Sequence, residues 1–111
     1  MSSNKRNRRE HERATVELMV ACEVDNWCQY TTATNLSEEG LFVATRAPEP
    51  PGNRIDLHFA LPGEDALQAL KGEVMWADDS GHDPGMGIQF VGLDPTQRAR
   101  LCGAVQRLTQ N

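Results

Sequence analysis

Residues 15–24 alternate strictly between two sets of side chains, and a two-residue period predicts an extended strand with one buried face. Valine, leucine or cysteine fills every second position from Val16 to Val24. The other positions are mixed and include Glu17 and Glu23. The Asp-Asn pair that follows is a tight-turn signal, so the folded part of the chain is expected to begin with a β-hairpin.

Further short strands follow this hairpin. Residues 27–36 are rich in threonine and form the returning strand, and residues 41–45 form a short strand after the next turn. The proline-rich segment at 47–52 is a stiff loop that cannot join a hydrogen-bonded ladder. Apolar alternation resumes at residues 55–61, which are expected to form the fourth strand.

The C-terminal half holds two more strands. Residues 66–76 are predicted as one long or kinked strand, with Gly72 as a possible β-bulge. Residues 64–70 could form a helical turn instead. Alternating apolar residues at 86–90 give the face of the last strand.

A single helix ends the predicted fold. Asp94 is suited to the N-cap and Pro95 to the first helical position. Apolar residues then recur at the helical spacing, at Leu101, Val105 and Leu108. Six short strands and one terminal helix indicate an all-β domain, a small closed antiparallel barrel whose opening or edge the helix covers.

Length and composition exclude several classes of protein. The 111 residues fit one domain. No stretch reaches the roughly 18 apolar residues of a membrane span, and the N-terminus lacks the apolar region of a secretory signal, so a soluble cytoplasmic protein is expected. Three cysteines without metal-ligand spacing argue against a disulfide framework and a zinc site. No cofactor or metal is expected.

Charge divides the chain into two parts, a flexible basic arm at residues 1–13 and the barrel with its helix at residues 14–111. The arm holds five basic and two acidic residues, whereas the rest holds six basic and fourteen acidic residues. An acidic body is a poor general binder of nucleic acid. A basic arm on such a body can capture one compact anion, although a solvated tail is the ordinary interpretation.

Two motifs carry the chemistry. The arm reads R-x-x-x-R from Arg9 to Arg13, and the end of the second strand reads N-x-S-x-x-G at Asn35, Ser37 and Gly40. Arginine forks match phosphate oxygens and the O6/N7 edge of guanine. The amide and hydroxyl add short polar contacts, while glycine permits a close backbone approach or a turn with positive φ. Together the motifs suit an anionic guanine nucleotide.

These motifs, in this order, resemble those of the PilZ domain, a bacterial receptor module for cyclic di-GMP. The stretches at residues 74–76 and 85–90 are also similar to the family's closing strands, and the resemblance runs from Arg8 to Leu108. It implies a six-stranded PilZ-type barrel that binds cyclic di-GMP. By this resemblance the ligand-binding residues are Arg8, Arg9, Arg13, Asn35, Ser37 and Gly40.

The resemblance also implies a role for each residue. Arg9 and Arg13 contact phosphates and guanine edges with help from Arg8, whereas Asn35 and Ser37 hydrogen-bond guanine or a nearby phosphate. Many family members carry aspartate where this chain has Asn35, so its guanine contact can differ. Ordinary turn chemistry is the alternative for Asn35 and Ser37. A hydroxyl used by the ligand predicts that Ser37→Ala loses binding with little loss of stability.

Two aromatic residues are ambiguous. Trp76 is either a stacking surface for the ligand or a residue of the core or barrel rim. His11, between the two arginines, either contacts the ligand or is incidental.

The predicted function is therefore that of a sensor without a reaction of its own. Ligand binding is expected to order the N-terminal arm across the barrel and to create a surface for an unidentified effector protein. Membrane insertion and binding to a nucleic acid polymer are not expected. The alternatives are a PilZ-like adaptor that binds no nucleotide, a small-barrel nucleic-acid binder that would need more aromatic residues and basic charge, and an enzyme, for which no catalytic constellation is apparent.

Overall fold

A computed structural model of the chain describes residues 13–109, which form a closed antiparallel β-barrel followed by one helix. The strand order around the barrel is β1-β2-β3-β6-β5-β4, so the predicted fold class is confirmed. Apart from Arg13, the predicted arm lies outside the described residues. The elements are β1 (Ala14–Val24), β2 (Trp27–Leu36), β3 (Gly40–Ala44), β4 (Arg54–Ala60), β5 (Leu67–Asp78), β6 (Gly85–Val91) and α1 (Pro95–Thr109).

The first two strands form the predicted hairpin. Their pairing runs from Val24 opposite Trp27 to the far end of both strands. Asp25 turns the chain with a φ of 55°, in the left-handed region that Asp and Asn tolerate better than most residues. The predicted Asp-Asn turn is therefore confirmed, and it fixes which side chains of β1 point inward.

The inward side chains fill the barrel with one apolar core. Val20 and Cys22 of β1 are buried there, together with apolar residues from every other strand. The Cys22 thiol lies 3.6 Å from the Thr31 hydroxyl, which donates to the Val20 carbonyl. Burial raises the pKa of the Cys22 thiol, so it remains a protonated core residue.

Helix α1 begins as the sequence predicts. The Asp94 carboxylate accepts the Gln97 N–H at 2.7 Å, and the Gln97 side chain accepts the Asp94 N–H at 3.1 Å. This reciprocal capping box satisfies two backbone donors at the helix start. Leu101, Ala104 and Val105 join the core cluster of the barrel, so the helix packs onto the barrel through these residues. No helix within residues 13–109 is long and apolar enough to cross a membrane.

Strand β5 differs from its prediction in one detail. It begins at Leu67 as a strand rather than a helical turn, but Gly72 is not its bulge. The register shifts between Val74 and Trp76, so Met75 is the additional residue. Gly72 instead lies beneath the Ile88 side chain, where a Cβ atom would overlap it. The sequence prediction was wrong here because a glycine required for packing and a glycine at a bulge look the same in a sequence.

Candidate functional site

A cleft of about 800 Å³ opens on the outer surface of the barrel, where the end of β2 meets β3, β6 and β5. This volume falls within the range of small-molecule sites, about 300–1,000 Å³. Strand pairing sets out a row of residues across it, because Phe42 pairs with Asn35 on one side and Gly87 on the other, and Gly87 pairs with Trp76. The β-barrel therefore fixes the floor of the cleft through backbone register.

Arg13 and Asn35, one residue from each sequence motif, meet at one end of this cleft. Arg13 donates from Nη1 to the Asn35 Oδ1 at 2.8 Å, although 22 residues separate them. Thr15 of β1 pairs with Asn35 of β2, so the hairpin register brings them together. The amide oxygen is neutral, and this hydrogen bond orients the guanidinium without cancelling its charge. Its remaining N–H donors can reach a ligand in the cleft.

Ser37 has a different environment. It is only 2% exposed, and its hydroxyl accepts the N–H groups of Glu39 at 3.1 Å and Gly40 at 3.2 Å. The same oxygen lies 3.3 Å from the Gly40 carbonyl, to which its hydrogen can be donated. The hydroxyl is thus engaged within the turn between β2 and β3. The contacts observed are those of turn chemistry, and a bond from Ser37 to a ligand stays a prediction.

Gly40 is required for close backbone packing. A Cβ atom on Gly40 would overlap the Ile88 carbonyl oxygen of β6 and lie 3.1 Å from the Gln89 Cα. Gly40 is absent from the glycines with positive φ, which are Gly52, Gly63, Gly81 and Gly92. Of the two roles that the sequence allows for Gly40, the structure therefore selects the close approach of strands rather than a left-handed turn.

An aromatic surface forms the other end of the row. The rings of Phe42 and Trp76 stack with centroids 5.3 Å apart and planes inclined by 21°. The indole lies over Gly87, where a Cβ atom would be 2.6 Å from the Trp76 Cε2. Trp76 is 50% exposed, so it is not a core residue. It presents an aromatic surface to the cleft, which suits a planar base.

The charged side chains around the cleft are of both signs. Arg13 is accompanied by Glu39 on the β2–β3 turn and by Asp83 on the loop before β6. Arg8, Arg9 and His11, which the sequence assigns to the same site or its surroundings, lie outside the described residues. The described part of the site therefore supplies one cation, an amide, an aromatic surface and a rigid turn.

Metal binding has no support within the described part of the chain. Residues 13–109 contain no group of three or more His, Cys, Asp or Glu side chains placed to hold a metal ion. At the end of β5, the Asp78 carboxylate accepts the N–H of Ser80 in the following loop at 2.9 Å. This backbone hydrogen bond lowers the pKa of Asp78, and the carboxylate stabilises the loop.

Sequence reasoning did not identify Phe42, Met75 or the two carboxylates as residues of the cleft. Phe42 had a signal, since it stands between the inward Leu41 and Val43 and must point outward. Met75 had the same signal, since it follows the inward Val74 and must point outward. Trp76 is the residue that alternation would turn inward, and the bulge that exposes it depends on pairing with β6.

Comparison with known proteins identifies the type of domain. Residues 7–107 match the family model described as PilZ domain. No curated protein sequence matches the chain. The PilZ domain of YcgR from Escherichia coli, solved with c-di-GMP (cyclic di-GMP), superposes with a TM-score of 0.73 at 16% identity, covering 93% of this chain and 92% of that one.

Two further solved structures are similar. The inhibitor of motility MotI/DgrA of Bacillus subtilis gives a TM-score of 0.73 at 17% identity over 88% of this chain. The chain spans about half of that protein, 49% of its length. The PilZ domain of CeSA from a cellulose-synthesizing bacterium gives 0.63 at 13% identity, covering 89% and 96% of the two chains. At these identities the likeness concerns the fold.

Proposed function

This chain belongs to the PilZ domain family, and we propose that it is a cytoplasmic receptor that binds cyclic di-GMP in the cleft and signals through a protein partner. The observation that carries this proposal is the hydrogen bond between Arg13 and Asn35. It joins the two motifs at the end of a cleft of suitable size. The YcgR domain with the similar fold was solved with this nucleotide, which supports the choice of ligand.

In this proposal Arg13 provides charged hydrogen bonds to a phosphate or to the O6/N7 edge of guanine. Asn35 contributes twice. Its amide oxygen holds the Arg13 guanidinium, while its NH₂ group remains able to donate to guanine or to a phosphate oxygen. The Trp76 indole offers a stacking surface for a guanine base, an interaction worth about 1–3 kcal/mol per base.

The β2–β3 turn contributes shape. The Ser37 hydroxyl and the close approach of Gly40 to β6 hold the turn rigid beside Asn35. A rigid turn fixes the position of Asn35 before the ligand arrives, so little conformational freedom is lost there on binding.

The N-terminal arm completes the proposed mechanism. Residues 1–13, with Arg8 and Arg9, order across the bound nucleotide and create a surface for the effector. Ordering costs about 1–2 kcal/mol per residue in backbone entropy, which charged contacts to the phosphates offset. Amide exchange at residues 5–13 should slow on saturation with cyclic di-GMP, and unchanged exchange would remove the arm from the mechanism.

One observation favours a second candidate, a PilZ-type adaptor that binds no nucleotide. The carboxylates of Glu39 and Asp83 border the same cleft as Arg13, and carboxylates oppose the binding of a ligand with two phosphates. The first candidate requires that Arg13, with Arg8 and Arg9, outweigh them.

Calorimetric titration of the full chain distinguishes these candidates. Cyclic di-GMP should give a saturable heat, and GMP, which cannot satisfy both ends of the site, should give a much weaker one. Affinity should fall with added salt because exposed charges are screened. Equal heats from the two nucleotides would refute the receptor. No heat above dilution from either one would favour the adaptor.

A further inference from the structure

A second exposed surface lies on the outer side of the first hairpin, away from the aromatic part of the cleft. Strand pairing sets Met19 beside Thr32 and Ala21 beside Tyr30, and these four residues are called the hairpin face below. Met19 is 68% exposed and Tyr30 is 75% exposed. The core does not use them, because Val20 and Cys22 are the inward residues of this part of β1.

Two side chains of the hairpin face, Met19 and Tyr30, are of types common at interface centres. Tyrosine and methionine are enriched at the centres of protein–protein interfaces, where glutamate and aspartate are depleted. Met19 and Tyr30 occupy diagonal positions on neighbouring strands, roughly 7–8 Å apart at the backbone, which long side chains can bridge. Ala21 lies between Tyr30 and His58 of β4, so a partner side chain can approach the strand closely there.

Acidic residues border this apolar centre along β1. Glu17 and Glu23 are exposed on the same outward side as Met19 and Ala21. Glu23 lies 3.4 Å from the His58 ring, and Asp56, which pairs with Glu23, is bonded to Lys71 at 3.0 Å. Six residues of extended strand place Glu17 and Glu23 roughly 20 Å apart. Lys71 compensates the charge of Asp56, so one glutamate at each end of the apolar centre, Glu17 or Glu23, makes the rim negative.

This charge pattern indicates which kind of partner can bind the hairpin face. A second copy docked through the same face would bring its own Glu17 and Glu23 against these carboxylates, and like charges at an interface are unfavourable. Nucleic acid and anionic lipid headgroups are disfavoured for the same reason. A protein surface with basic residues around an apolar side chain complements both the rim and the centre.

We propose that the hairpin face binds a basic, apolar-centred segment of a partner protein. This names the chemistry of the effector, and its signalling role rests on the proposed function. The apolar centre is small compared with a standard interface of about 800 Å² per partner, so the contact is of the transient class. Tyr30 precedes Asn35 by five residues, roughly 17 Å along β2, so the Tyr30 end of the hairpin face is separated from the cleft.

The test uses nuclear magnetic resonance with the full chain and two synthetic peptides. One peptide has lysines on both sides of a Leu-Trp-Leu centre, and the other replaces every lysine with glutamate. The lysine peptide should shift the amide resonances of residues 17–23 and 28–32. The glutamate peptide should leave them unchanged. Equal binding of both peptides, or shifts confined to the cleft, would overturn the proposal.

Substitutions at exposed positions locate the contact. Tyr30→Ser and Met19→Ser should each lower the affinity for the lysine peptide about tenfold or more. Glu17→Gln combined with Glu23→Gln should lower this affinity a few-fold and reduce the salt dependence of peptide binding. Met75→Ser is the matched control, because Met75 is 51% exposed but lies in the cleft, and it should leave peptide binding unchanged. Binding that survives both Tyr30→Ser and Met19→Ser would overturn the proposal.

Two further measurements separate this proposal from neighbouring ones. If sedimentation shows a dimer that Tyr30→Ser converts to a monomer, the occupant is a second copy and the proposal is wrong. Titration of Met19→Ser with cyclic di-GMP should match the wild type. If the chain binds the lysine peptide but not cyclic di-GMP, the proposed receptor function is wrong and the proposal for the hairpin face is unaffected. If it binds cyclic di-GMP but not the peptide, only the proposal for the hairpin face is wrong.

Discussion

The β2–β3 turn and the open end of the cleft carry residues of the same sequence motif, yet their environments are opposite. Ser37 and Gly40 are buried, and their contacts are to the turn and to β6. Asn35, only two residues before Ser37, is partly exposed and holds the exposed Arg13. One motif thus combines Ser37 and Gly40, which shape the turn, with Asn35, which faces the cleft, and substitutions separate the two.

Gly40→Val should have the largest effect. Its side chain would overlap the Ile88 carbonyl, and overpacking against backbone should cost about 3 kcal/mol or more in the free energy of unfolding. Denaturant unfolding measures this loss, and binding should fall with it. Gly103→Ala is the control, because its Cβ would meet only Arg107 Nη1 at 3.6 Å, and a helical alanine should gain about 0.5–1 kcal/mol. If Gly40→Val has the stability of the wild type, Gly40 is not required for packing against β6.

Arg13→Ala should show the opposite behaviour. Loss of its charged hydrogen bonds should weaken the binding of cyclic di-GMP by about 1.5–3 kcal/mol. The free energy of unfolding should change little because Arg13 is exposed. Calorimetry and thermal unfolding of the same preparation give both values. A stable variant with wild-type affinity would show that Arg13 takes no part in binding.

Ser37→Ala should be less severe than Gly40→Val but should also act on stability. The buried N–H of Gly40 and the N–H of Glu39 would lose their acceptor, at a cost of about 1–2 kcal/mol. Ser80→Ala in an exposed loop is the control and should stay within about 0.5 kcal/mol of the wild type. If Ser37→Ala loses affinity while its stability is unchanged, its hydroxyl belongs to the ligand and not to the turn.

Asn35→Ala should have the smallest effect, about 0.5–1.5 kcal/mol on binding. It removes the acceptor that orients Arg13 but leaves the guanidinium in place. Asn35→Asp keeps an acceptor there and should bind more tightly than Asn35→Ala in the same calorimetric assay. Equal affinities for the two variants would mean that the orientation of Arg13 does not matter.

The sequence predicted what depends on local pattern. Alternation and turn signals located the strands, and Asp94 followed by Pro95 marked the helix start, because these signals act over a few neighbouring residues. The family resemblance assigns Arg13 and Asn35 to one predicted site, and the register of β1 and β2 brings the two side chains into contact.

What the sequence left open depends on pairing between distant strands. The bulge at Met75, the stack of Phe42 on Trp76 and the packing role of Gly72 are all set by which residue of β6 lies opposite. The sequence does not distinguish a serine that bonds a turn from one that bonds a ligand. The fold buries the Ser37 hydroxyl and engages it in the turn, and its bond to a ligand stays a prediction.

The most direct measurement places cyclic di-GMP in the cleft through Trp76. In a Trp27→Phe variant the remaining tryptophan is Trp76, whose indole is half-exposed at the proposed base-stacking surface. Titration with cyclic di-GMP should quench its fluorescence with the midpoint found by calorimetry, and GMP should quench it only at much higher concentration. Saturable heat without any change in Trp76 fluorescence would contradict binding at this surface.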